Sequence, residues 1–206
     1  AKAALFDGIQ MISSIHDDQK IVQRFVKRLM DILFCIVVFL FFWPLFLVTA
    51  LWIKCVSPNG PIVFKQIRVG QHGKEFVLYK FRSMIPDAEL NGPEMVNESG
   101  DSRYIKGGQF IRQFSLDELP QFWNVLKGDM SVVGPRPERP FFVEEFLKTI
   151  PYFNHRHQMP VGITGWAQVN GRDELSISDK VALDVYYMEN QSFWFDIKIL
   201  WMTFLK

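Results

Sequence analysis

Residues 32–53 read ILFCIVVFLFFWPLFLVTALWI, 22 residues without a single charge. That is about the length a helix needs to cross ~30 Å of hydrocarbon, so the run belongs in a membrane. It begins some thirty residues into the chain and is followed by Lys54 and a long polar stretch, a pattern unlike a cleaved signal peptide, whose apolar core is shorter and ends at small residues. Pro44 lies past its middle. A proline there removes the amide that would bond the carbonyl of Leu40 and clashes with that turn, so a bend is expected. Lys20, Arg24, Lys27 and Arg28 precede the run, while Lys54, Lys65 and Arg68 follow it. Positive charge on both flanks asks for both ends in the cytoplasm. A bent helix that enters and leaves one leaflet meets both demands, and a kinked transmembrane helix stays open beside it, because such helices tolerate proline.

The rest of the chain is more ordinary. There are 206 residues, one domain's worth, with 23 Lys plus Arg against 22 Asp plus Glu and a net charge near +1. Hydrophobic residues make up 49%, and 20 residues are Phe, which excludes a disordered or collagenous chain and a basic nucleic-acid-binding tail. Cys35 and Cys55 form no CxxC and have no nearby His, so neither a zinc site nor a disulfide framework is indicated and a reducing compartment is expected. A start at Ala1 suggests part of a longer chain.

After the turn cluster Ser57-Pro58-Asn59-Gly60-Pro61, Ile62 to Val69 and Lys74 to Arg82 read as strands joined through Gly70-Gln71-His72-Gly73, a β-hairpin. Alternation puts Lys74, Lys80 and Arg82 on one face of the second strand. Residues 86–109 are polar and rich in Gly, Asn and Glu, a long loop of the kind that often carries function. Helices are expected over Pro120–Lys127, with Gly128 just past its end, and over Pro140–Ile150, Ser176–Glu189 and Ser192–Leu205. The last, SFWFDIKILWMTFL, reads equally as a core helix or as an amphipathic helix in the headgroup layer. The fold expected is α+β and predominantly helical, with one small hairpin.

For chemistry, several signatures are missing: no P-loop, GxGxxG after a strand, GxSxG, HExxH or D-x-D is present. The conspicuous acids are Asp117 and Glu118 in Ser115-Leu116-Asp117-Glu118-Leu119-Pro120. A capping box on Ser115 would explain them, except that Pro120 would then fall inside the helix. With Pro120 at the helix start, both acids sit in the lead-in to a positive helix end, where a carboxylate stays ionised; structural and catalytic roles both remain open. Basic residues are plentiful nearby in the chain: Lys65, Arg68, Lys80 and Arg82 in the hairpin, Arg112 before the acids, Arg136 and Arg139 among prolines. A guanidinium on a proline-stiffened backbone suits bidentate phosphate binding, and near-neutral overall charge favours a small phosphorylated ligand over a polyanion. Gly162-Ile163-Thr164-Gly165 and the following Gln168 to Arg172 read as a turn or a binding loop. His155 and His157 read as a surface pair rather than metal ligands.

Several of these stretches together resemble one family. The basic lead-in Lys27-Arg28-Leu29-Met30-Asp31, the apolar helix broken by Pro44, Gly60 to Gly70, Tyr79-Lys80-Phe81-Arg82-Ser83-Met84, Leu116-Asp117-Glu118-Leu119-Pro120-Gln121, Val133 to Glu138, and Gly162 to Arg172 are similar, in order, to the bacterial sugar transferases, the monotopic phosphoglycosyl transferases. The resemblance runs from about Lys27 to the end. It implies a re-entrant helix holding residues 27–206 on the cytoplasmic face of the bacterial inner membrane, aided by interfacial amphipathic helices. The activity implied is transfer of a sugar 1-phosphate from a UDP-sugar to polyprenol phosphate with release of UMP, an opening membrane step of polysaccharide assembly. By the same resemblance Asp117 would be the nucleophile and a ligand to Mg²⁺, and Glu118 its catalytic partner. Lys65, Arg68, Arg82, Arg112, Arg136 and Arg172 would bind the substrates. The partners implied are the UDP-sugar, polyprenol phosphate and the membrane, with no nucleic acid and with a homodimer left open.

Trp43 departs from the pattern, since family members often carry Ser before this proline, where its hydroxyl could bond a freed carbonyl. Residues 1–26 resemble nothing specific and read as a linker or the tail of a preceding domain. The competing reading is a membrane-docked scaffold that binds nucleotide sugar without catalysis.

Overall fold

The computed structural model describes residues 2–86, 88, 102–150, 152–171 and 174–205, with side chains from Val22 onward. Helix α1 (Lys2–Val56) is one 55-residue element with Pro44 inside it, and it includes most of the stretch expected to be a linker. Its segment Val22–Val56 is long and apolar enough to cross a membrane, and only 17% of its most apolar window is buried against the protein. It is therefore no ordinary core helix. The expected hairpin follows: β1 (Val63–Val69) pairs antiparallel with β2 (Glu75–Phe81), from Val63 opposite Phe81 to Val69 opposite Glu75. Its connection needs left-handed backbone at His72 and Gly73. The segment read as a long loop lies largely outside the described residues. Its return, at Arg103 to Ile105, bonds back to Ser83 and Ile85, and α2 (Gly108–Gln113) begins where the loop was expected still to run.

Helix α3 (Gln121–Lys127) is capped by Pro120 and stopped by Gly128 in left-handed conformation, as the Pro-start, Gly-stop pattern predicts. Helices α4 (Pro140–Thr149), α6 (Ile177–Glu189) and α7 (Phe193–Phe204) also fall where expected; Ser176 and Ser192 accept from the amides of Asp179 and Phe195 and so supply the caps. Two short strands and a helix are additions to the sequence reading. β3 (Ser131–Val133) and β4 (Gly162–Thr164) pair in parallel, and α5 (Trp166–Asn170) follows directly. The glycine-rich stretch is thus a place of backbone contact, not an open loop. A Cβ on Gly162 would lie 2.1 Å from the amide nitrogen of Gly134, and one on Gly165 would lie 2.2 Å from the Gly134 carbonyl oxygen.

The main core gathers Leu78 of β2, Val125 of α3, Val132 and Val133 of β3, Val161, Tyr187 of α6, Ile199 of α7 and Cys35 of α1. Two smaller clusters flank it: Val69, Val143, Phe153 and Val181 on one side, and Ile53, Phe81, Ile105 and Ile111 on the other. Asn124, fully buried, plays the part of a third strand. Its Nδ2 donates to the Val77 carbonyl at 2.7 Å and its Oδ1 accepts from the Tyr79 amide at 3.0 Å, closing the free edge of β2.

Helix α1 is fastened to this body at both ends of its apolar run. Ahead of it, Lys27 pairs with Asp196 of α7 at 2.7 Å, Arg28 donates to the carbonyls of Val125 and Leu126 at the end of α3, and Asp31 Oδ1 accepts from Ser131 Oγ and the Val132 amide. Behind it, Trp52 Nε1 donates to the Lys106 carbonyl and Ile53 is buried beside Phe81.

The glycine contacts give a graded expectation. Gly162→Ala drives a methyl into backbone that cannot yield and should cost about 3 kcal/mol or prevent folding. Gly73→Ala meets open space but keeps a positive φ of 74°, and should cost only about 1 kcal/mol. Denaturant unfolding of the detergent-purified variants would rank them.

Candidate active site

Helix α2 ends at Gln113 with Phe114 as its C-cap, and Ser115 turns the chain with a φ of 53° into a single 3-10 turn, Leu116–Glu118. The Glu118 amide bonds the Ser115 carbonyl, and Pro120 then opens α3. Ser115 caps nothing with its side chain, so the capping-box explanation of the acids falls. This tight turn aims two neighbouring carboxylates at one ammonium. Lys80 Nζ of β2 lies 3.8 Å from Asp117 Oδ2 and 3.3 Å from Glu118 Oε1.

The two acids are nevertheless pushed in opposite directions. Burial pushes the carboxyl of Glu118 up, but Arg136, at 3.0 Å, and Lys80 outweigh it and hold the group at about 2. Asp117 is 5% exposed, and burial pushes its carboxyl above the ordinary range, offset only in part by Lys80, Arg112 and Arg136. Glu118 is the fixed anion, while Asp117 is the more basic and less engaged carboxylate. Burial pushes Lys80 down, countered chiefly by Glu118.

Arg136 is supplied by a segment with unusual support. Pro135 and Pro137 have no amide to donate, and each fixes its own φ. The four carbonyls from Pro135 to Glu138 are each taken by a different donor: the Gly162 amide at 2.8 Å, Arg156 Nη2 at 2.9 Å, Arg68 Nη1 at 2.9 Å and the Val69 amide at 2.9 Å. The Arg136 side chain, 43% exposed, reaches from this platform to Glu118.

The basic residues singled out from sequence thus divide. Arg136 contacts Glu118, and Arg112 stands half-buried over the Tyr104 ring and acts on Asp117 by charge. Arg68 is engaged in support: Nε and Nη2 donate to Gln66 Oε1 and Nη1 to Pro137, and burial lowers its guanidinium to about 10. Lys65 is exposed and, by strand alternation, lies on the hairpin face opposite Arg68 and Lys80. Arg82 is 4% exposed and donates to the Ser57 carbonyl, tying the turn after α1 to β2. Arg172 lies outside the described residues. Lys80, which touches both acids, is one of several basic residues in the hairpin sequence and nothing local marks it out. His157 is buried against Asn154, and burial pushes its imidazole down to about 4.

Among the described residues no group of three or more His, Cys, Asp or Glu side chains is placed to hold a metal. Asp117 with Glu118 is the donor set present. Mg²⁺ commonly takes one or two carboxylates and completes its shell with water and substrate phosphates, so Asp117, the less engaged of the two, fits as its protein ligand.

Comparison with known proteins places this arrangement. The model of the family described as bacterial sugar transferase matches residues 22–206. The chain is 43% identical over 95% of its length to a UDP-N-acetylgalactosamine-undecaprenyl-phosphate N-acetylgalactosaminephosphotransferase of Aeromonas hydrophila, covering 48% of that protein. It is 42% identical over 90% of its length to the UDP-glucose:undecaprenyl-phosphate glucose-1-phosphate transferase of Escherichia coli K12, covering 40% of it, and 46% identical over 72% to an uncharacterized sugar transferase, EpsL, of Bacillus subtilis, covering 70%. The chain spans about half the length of the first two relatives. With a family model matched across nearly all the residues that build the acid turn, the hairpin and the Arg136 platform, the chain belongs to the bacterial sugar transferase family.

Proposed function

We propose that this chain transfers a sugar 1-phosphate from a UDP-sugar to polyprenol phosphate at the cytoplasmic face of the bacterial inner membrane, with Asp117 as a covalent nucleophile. The observation that carries the reading is the unequal acid pair. A buried carboxylate with a raised pKa and one ammonium contact is a better nucleophile than one neutralised by arginine. An Asp117 oxygen attacks the sugar-bearing phosphorus, the bond from that phosphorus to the bridging oxygen breaks, and UMP leaves with the electron pair. A phosphate oxygen of the lipid then attacks the same phosphorus and displaces the Asp117 carboxylate. No proton need change hands. Glu118 holds Lys80 and Arg136 in place, and these two cations face the charge that develops on the transferring phosphoryl group. Asp117 would hold Mg²⁺, which would supply further charge neutralisation. The relatives' names specify N-acetylgalactosamine, glucose and, in a Salmonella typhimurium protein 38% identical over 87% of the chain, galactose; the donor here is a UDP-hexose of that group.

The membrane part of the proposal is that α1 re-enters the leaflet it left. Both polar flanks of the apolar run are fastened to the same folded body. In addition, Phe39 and Phe46 have ring centroids 5.3 Å apart, although seven residues of straight helix rise about 10.5 Å. They lie on the face of α1 opposite Pro44, the face that a proline kink closes. Exposed Trp194, Trp201 and Phe204 of α7 and the contacting Phe110 and Phe114 of α2 are suited to the headgroup layer.

Three outcomes are expected. Detergent-purified protein given UDP-glucose, UDP-galactose or UDP-N-acetylgalactosamine should release UMP from one of them before any lipid is added, stoichiometric with enzyme; mass spectrometry should find the adduct on the Asp117 peptide, and Asp117→Asn should abolish it. UMP formed only when both substrates are present would replace the covalent step with direct transfer, and donor binding without UMP under any condition would leave the scaffold reading. Because Asp117 must be ionised to attack and its carboxyl already stands above the usual range, Lys80→Met should move the acid limb of the rate profile to higher pH and slow turnover at least tenfold; undiminished turnover in excess EDTA would remove the metal from the mechanism. For α1, thiol labelling at positions beside Asp31 and Lys54 in intact inner-membrane vesicles should occur from one side, and labelling from opposite sides would make α1 a span.

A further inference from the structure

We propose that Arg156 and Asp184, some twenty and fifty residues beyond Arg136, are positioning residues for it and so for the acid pair. The proposal rests on the reading above, in which Arg136 faces the transferring phosphate. Arg156 belongs to the 3-10 segment Phe153–Gln158 and is 4% exposed; Asp184 projects from α6 and is 1% exposed. Arg156 Nη2 lies 2.8 Å from Asp184 Oδ2 and donates, at 2.9 Å, to the carbonyl of Arg136, while Nη1 lies 4.0 Å from Glu138 Oε1. One face of the guanidinium rests on the Phe153 ring, 5.0 Å from its centroid.

A buried ion pair is an expensive way to fill a core, and apolar residues of similar volume often serve as well or better. What distinguishes this one is that the nitrogen set against Asp184 also donates outside the pair. Residue 136 stands between two prolines; Pro137 confines it to extended backbone but leaves a range of ψ. The direction of the Arg136 carbonyl is what fixes ψ, and Arg156 holds that carbonyl. Rotation there would carry the Arg136 side chain away from Glu118. The line of contact therefore runs from Asp184 to Arg156, to the backbone of Arg136, to its side chain, to Glu118, to Lys80 and to Asp117. Asp184 itself is pushed up to about 6 by burial, against the pull of Arg156.

The test uses Asp184→Asn, which keeps size and shape, and Arg156→Lys, which keeps charge but loses the planar group that stacks on Phe153, aims Nη2 at the Arg136 carbonyl and places Nη1 near Glu138. Both are made in the whole chain and purified in detergent. The measurements are kcat and KM for UMP release from whichever of the three UDP-hexoses the wild type uses, the pH profile, and the unfolding midpoint. The groups facing Asp117 are Lys80 from β2, Glu118 beside it, Arg112 from α2 and Arg136, so a displaced Arg136 removes one of three cations that lower its pKa. Expected for both variants is a fall of at least tenfold in kcat/KM with the acid limb moved to higher pH and the unfolding midpoint within a few degrees of wild type. An unchanged kcat/KM, a loss that merely tracks the folded fraction with the acid limb in place, or failure of both variants to fold would each overturn the proposal in favour of a structural ion pair. A wild type that releases no UMP overturns the preceding reading instead; calorimetry with UDP as the probe then decides this one, with binding at least tenfold weaker in Asp184→Asn expected and equal binding overturning it.

Discussion

One carboxylate oxygen, Oδ1 of Asp31, joins the two halves of this protein. It sits one residue before the charge-free run and accepts from both Ser131 Oγ and the Val132 amide. Ser131 and Val132 begin β3, and β3 leads within a few residues to Gly134 and Arg136. The apolar helix and the Arg136 platform thus meet at this junction. Lys27 and Arg28, one turn earlier, pin α1 to α7 and to the end of α3 in the same way. Charges that a sequence reader assigns to the membrane surface are in fact consumed inside the protein, where a low dielectric makes each contact count for more and each loss cost more.

This explains which parts of the molecule the sequence could disclose. Helix α3 was legible because its boundaries are written locally, in Pro120 and Gly128. The hairpin was legible because both its strands and its turn lie within twenty residues. The β3–β4 pair was not, since two three-residue strands separated by nearly thirty residues have no periodicity to detect, and the glycines that allow their approach look like loop glycines. Among the site residues, Asp117, Glu118 and Arg136 stood out by their setting between prolines and turns. Lys65 and Lys80 could not be separated by composition, only by which face of the hairpin each occupies. Arg82 and Arg68 have the chemistry of ligands and the positions of struts. Arg156 lay hidden in a His-Arg-His run whose histidines drew the eye.

Acids and bases are interleaved at the site. Lys80, Arg136, Arg68 and Arg112 stand among Asp117, Glu118 and Glu138. A patch carrying only cations would be held apart by its own repulsion; interleaved carboxylates keep it assembled. The inequality within the acid pair follows from position along a single 3-10 turn, because one more residue of advance brings Glu118 within reach of Arg136, while Asp117 has Lys80 as its ion-pair partner and feels Arg112 and Arg136 only through charge.

The platform from Pro135 to Glu138 carries a consequence for how such a protein can vary. Its attachments are carbonyl oxygens, gripped from β1, β4 and the Phe153–Gln158 segment, and every residue type offers the same carbonyl. The segment is therefore a socket whose fastening does not depend on the side chain at 136. Stability resides in the main chain, so a substitution of Arg136 should remove what its guanidinium touches and leave the architecture around it in place.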